Sequence, residues 1–82
     1  MNSSYTLDRD VPVHADATEI EQVRSAAVAQ WFTQVWERGL TPAEAPDTEL
    51  VQGDVVKVNG RVVITQSWRV WGHVQPRSLT GV

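Results

Sequence analysis

The chain contains no cysteine. That removes disulfide staples, thiol nucleophiles and thiolate metal sites together. No apolar run approaches the roughly 18 residues of a membrane span. The opening Met1-Asn2-Ser3-Ser4-Tyr5 has neither the basic start nor the apolar run of a signal peptide. A cytoplasmic protein with no membrane partner is therefore expected. The two histidines, His14 and His73, are far apart, and neither has a second ligand at helical spacing. Ser25 and Ser67 are accompanied by no nucleophile elbow and no oxyanion loop. There is no glycine-rich phosphate cradle. The close acids Glu19/Glu21 and Asp8/Asp10 fit a helix start and a solvated strand face. No metal, no cofactor and no catalytic residue is expected, so the protein reads as non-enzymatic.

Phe, Tyr and Met occur once each, whereas Trp occurs four times in 82 residues. Tryptophan supplies much buried area and is enriched at interface hot spots. A chain of this length forms one domain with one modest core. The net charge of −3 conceals an asymmetry. Residues 1–49 carry three Arg against nine acids, a net of −6. Residues 50–82 carry Lys57, Arg61, Arg69 and Arg77 against Asp54 alone, a net of +3. The usage of Val, Ala, Arg and Trp fits a high-GC source, a bacterium or its phage.

Tyr5 to Val13 alternates, with Tyr5, Leu7, Val11 and Val13 on one side and Thr6, Asp8, Asp10 and Pro12 on the other. This predicts a half-buried strand that ends, or lies at an edge, near Pro12. Asp16-Ala17-Thr18-Glu19 has capping-box spacing. A helix is predicted from there to Arg38, with Gly39 as its left-handed stop. Ile20, Val23, Ala27, Val28, Trp31 and Val35 fall within an arc of about 140° at 100° per residue. Phe32 sits on the shoulder of that stripe and Trp36 points away from it. Residues 39–48 read as a loop, with one short helical turn starting at Pro42.

The strongest local signal is Asn59-Gly60 between two valine-rich runs, the signature of a two-residue type I′ hairpin. The turn sets Val58 opposite Arg61, Lys57 opposite Val62, Val56 opposite Val63 and Val55 opposite Ile64. Continued without interruption, this register sets Val51 opposite Trp68. Directly opposed residues share a face. One face then holds Val51, Val55, Val62, Ile64, Trp68 and Val70 and belongs against the helix. The other holds Val56, Val58 and Val63 near the tip and Trp71 farther along. Gly53 within the strand marks a candidate bulge, which would exchange the faces beyond it.

These elements predict an α+β fold, β-α-β-β, with a three-stranded antiparallel sheet and one helix packed on one face. The last strand is placed centrally. Residues 1–74 form the single small domain, and residues 75–82 a frayed tail. The expected core is Tyr5, Leu7, Val11, Val13, Ile20, Val23, Ala27, Val28, Trp31, Val35, Val51, Val55, Val62, Ile64, Trp68 and Val70. Val56, Val58, Val63, Trp71 and Trp36 are left as apolar groups without a cover. They are the expected protein interface of a self-associating module, a homodimer or a complex with another protein. Such modules serve as accessory or regulatory proteins. The alternative reading is a nucleic-acid-binding module that uses Lys57, Arg61, Arg69 and Arg77, with aromatic rings between them for base stacking.

Overall fold

A computed structural model describes residues 1–77. The elements run β1 (Asn2–Pro12), α1 (Ala17–Glu37), β2 (Leu40–Pro42), β3 (Asp47–Val58) and β4 (Arg61–Pro76). One helix packs on an antiparallel sheet, so the fold is α+β. The sheet has four strands rather than three. The order β-α-β-β is corrected to β-α-β-β-β by the short β2, which occupies chain predicted to be loop. Pro42, predicted to open a helical turn, ends β2 instead. It is tolerated there because a strand terminus loses little by lacking one donor.

β4 is central. β1 lies along one of its edges, from Asn2 opposite His73 to Pro12 opposite Val63. β3 and then β2 share the other edge, opposite residues 61–71 and 74–76 respectively. Gln75 and Pro76, assigned from sequence to a tail, are thus paired with Thr41 and Leu40. The remainder of that predicted tail, residues 78–82, lies outside the described residues.

α1 begins where the capping box predicts. The Asp16 carboxylate accepts a hydrogen bond from the Glu19 N–H at 2.9 Å, a contact worth about 1 kcal/mol. It stops at Gly39, whose φ of 76° suits a residue without Cβ. Arg24, which falls within the arc of the apolar stripe, is held by Glu21 one turn earlier, its Nε donating at 2.8 Å. That contact lowers the Glu21 carboxyl below its usual range and raises the Arg24 guanidinium.

The stripe meets the sheet through Val23, Ala27, Trp31 and Val35, all buried. They pack with Val11, Trp68, Val70 and Val74. Trp31 is the centre of this core, fully buried, and its ring N–H donates to the Ser3 carbonyl at 3.0 Å. Gly72 lies directly beneath it. A Cβ there would stand 3.3 Å from the Trp31 ring and 3.2 Å from Pro46 Cα. Gly72 is therefore the floor on which the indole lies. Gly72→Ala is expected to cost about 1–3 kcal/mol through overpacking, measurable as a lower urea midpoint at unchanged slope.

Four predicted core residues are exposed: Val13, Val51, Val55 and Val62. Two separate causes account for them. The bulge at Gly53 moves Val51 to the outer face. Val13, Val55 and Val62 lie where the helix does not reach. A helix of 21 residues spans about 31 Å, while the molecule is 57 Å long. α1 packs on β1, β2 and β4, and β3 has its contacts with β4.

Candidate protein-interaction surface

The surface is the β3–β4 hairpin, and its geometry starts at the turn. Asn59 and Gly60 have φ of 51° and 79°, as a type I′ turn requires. From the turn, Val58 faces Arg61, Lys57 faces Val62, Val56 faces Val63 and Val55 faces Ile64. The ladder then shifts between Gln52 and Val55, leaving one extra residue on β3. Beyond the shift Val51 faces Ser67 and Leu50 faces Trp68. The predicted pairing of Val51 with Trp68 is thus corrected by the bulge that Gly53 signalled. Gly53 is needed there, because a Cβ would come within 2.6 Å of the Thr65 carbonyl oxygen.

The bulge leaves β3 with apolar side chains on both faces. Leu50 and Val55 lie on the helix side, opposite Trp68 and Ile64. Val51, Val56 and Val58 lie on the outer side. Neither set is covered: Val55 is 61% exposed, Val51 51%, Val58 43% and Val56 39%. Val62, on β4 near the tip, adds to the helix-side group. Sequence periodicity assigned Val51, Val55 and Val62 to the core, so the bare surface is larger than the predicted one.

Of the five predicted interface residues, the fold brings three together. Val56 and Val63 are directly paired, and Val58 lies beside them on the same face. Trp71 is on that outer face but about 26 Å farther along β4. There it carries the Arg69 guanidinium 5.1 Å from its ring centroid, and it lines a hollow with Asn2, Glu44 and His73. Trp36 lies elsewhere, 61% exposed on α1, with the Arg77 guanidinium 3.8 Å from its ring centroid.

The middle of the outer face is polar. Ser67 donates to Asp8 and Thr65 to Asp10 across the β1–β4 seam. Arg69 lies 4.0 Å from Glu49. The four basic residues of the alternative reading do not form one track. Lys57 and Arg61 stand at the hairpin tip on opposite faces, Arg69 is engaged with Glu49 and Trp71, and Arg77 stacks on Trp36 at the far end.

The candidates for chemistry are equally dispersed. His73 sits opposite Asn2 at one end of the sheet, 3.9 Å from Glu44. His14 follows β1 at the other end. Ser67 is bound to Asp8, and Ser25 donates to Glu21 on an exposed turn of α1. Among the described residues no group of three His, Cys, Asp or Glu side chains converges as a metal site. No helix among them is long and apolar enough to cross a membrane. Compared with known families, curated proteins and solved structures, the chain has no match.

Proposed function

We propose that this protein is a non-enzymatic interaction module that self-associates through the bare β3–β4 arm, as a small accessory or regulatory protein would. The observation that carries the reading is the apolar arm standing beyond the helix. Val51, Val55, Val56, Val58 and Val62 are each at least 39% exposed and lie on one hairpin, Val51, Val56 and Val58 on its outer side and Val55 and Val62 on its helix side. Isolated apolar residues on a surface need no explanation, whereas a continuous group marks a contact site. Among the described residues β3 joins the sheet through β4 alone, so it presents this surface without disturbing the core.

Light scattering on the purified chain tests the reading. The expected mass is twice the monomer's 9.1 kDa, falling toward the monomer on dilution. Val56→Asp is expected to raise the dissociation constant at least about tenfold, since the change enters a symmetric dimer twice. The fold of the monomer, read by circular dichroism, stays intact because Val56 lies outside the core. A wild-type chain that stays monomeric at every accessible concentration overturns the proposal.

A further inference from the structure

We infer that the arm is used edge-on: β3 of one protomer pairs antiparallel with β3 of a second copy, continuing the sheet across a twofold axis. The inference rests on the self-association proposed above and specifies its geometry.

Among the described residues β3 pairs with β4 alone. Its other rim therefore offers unpaired backbone N–H and C=O groups along Asp47–Val58, which is a template for another strand. The position of the bare side chains selects this rim over either face. A partner laid on one face covers half of them. A strand added at the rim contacts Leu50 and Val55 on one side and Val51 and Val56 on the other.

Packing two outer faces together would be costly. It would draw Asp8, Asp10, Glu49 and Arg69 out of water, and carboxylates that accept only one neutral hydroxyl do not recover that cost. Edge pairing leaves them solvated. The helix does not obstruct it, since α1 packs on β1, β2 and β4.

Charge identifies the occupant as a second copy and sets its direction. β3 begins acidic, with Asp47 and Glu49, and ends basic, with Lys57 and with Arg61 just past the turn. Antiparallel pairing turns the acidic start of each strand toward the basic end of its copy, setting Glu49 beside Val58 of the second copy with Arg61 next on the same face, whereas parallel pairing brings like ends together. The register follows from the bulge, which reverses the alternation of sides between Gln52 and Val55. Pairs that keep both helices on one side then set Val51 opposite Val56 of the second copy, and Leu50 opposite its Lys57. The twofold axis passes between Gly53 and Asp54. The one unfavourable contact is Asp54 near its own copy.

The absence of native cysteine makes the geometry testable by single-cysteine cross-linking. Asp54→Cys places a thiol at the axis, within the reach of a disulfide. Val63→Cys, on the central strand, meets its copy only if the outer faces stack. Under mild oxidation the Asp54→Cys chain is expected to form covalent dimer at least about tenfold faster than the Val63→Cys chain. In the wild type, β3 amides are expected to exchange about tenfold more slowly at dimer-forming concentrations than after dilution. The exchange measurement decides the matter if either variant folds poorly. A wild-type dimer whose Val63→Cys chain cross-links preferentially, or whose β3 amides exchange alike at both concentrations, overturns edge pairing and leaves self-association standing. A wild-type monomer overturns both.

Discussion

Replacing Trp31 by Ala is expected to remove much of the domain's stability. The indole is fully buried, and truncating a buried aromatic costs about 3–5 kcal/mol through lost transfer energy and the cavity left behind. The cavity cannot close readily. Its floor is the β4 backbone at Gly72, and its walls are held by the β1–β4 ladder. The substitution also removes the ring donor to the Ser3 carbonyl, a contact worth about 1 kcal/mol. A domain of this size has about 5–15 kcal/mol of stability, so one side chain accounts for much of the total. Urea unfolding followed by far-UV circular dichroism measures the loss. Trp31→Phe separates the two contributions: it refills most of the volume but not the hydrogen bond, and is expected to recover over half of the loss. Equal destabilisation by Ala and Phe would show that the packing argument is wrong.

The second large effect is expected at Gly53. Adding a Cβ there brings carbon to 2.6 Å from a backbone oxygen, and backbone yields less readily than a side chain. Gly53→Ala is expected to cost about 1–3 kcal/mol and to do so unevenly. The lower half of β3, residues 47–52, loses its pairing with β4. The upper half, from Val55 to the turn, keeps it, because the type I′ turn holds that register by itself. Amide exchange reads the difference directly. Protection falls at Leu50 and Val51 and persists at Val56. A uniform loss along the strand would show that the bulge and the turn act as a single unit.

The boundary between those halves is also the boundary of what the sequence made legible. From Val58 to Val55 the pairing follows from two turn residues with positive φ, which local chemistry determines. Gly53 signals a bulge, but whether the chain takes it depends on how β4 fits against β1, and those partners are distant in sequence. The helix stripe was readable because Val23, Ala27, Trp31 and Val35 repeat at helical spacing, and their burial follows once any sheet lies beneath. Val55 and Val62 show the limit of periodicity. It assigns a side chain to a face and says nothing about whether the helix extends far enough to cover it. Gly72 and Pro76 each weaken a strand by their local effect. Here Gly72 is retained for the room it gives Trp31, and Pro76 is tolerated at the strand's end.

The same reasoning accounts for the candidate site. Val56, Val58 and Val63 were found together because they straddle a turn. Trp36 and Trp71 share with them only an apolar side chain without a predicted cover: eight residues of β4 separate Trp71 from Val63, and Trp36 lies on the helix. Val51 was missed as a surface residue because its side was assigned through the bulge.

The central place of β4 has a consequence for the order of assembly. β1 joins β4 through pairs such as Asn2 with His73, among the longest sequence separations this chain contains. On a chain made from its N-terminus, β1 and α1 emerge with no sheet to join. Their apolar stripe stays in water until residues beyond Arg61 are available. Contacts of such high order slow folding, while a hairpin with its own turn forms in microseconds. The β3–β4 hairpin is thus the natural first structure, and β1 and the helix dock onto it afterwards. The strand that offers the finished protein an open rim is, on this order, also the one that starts its folding.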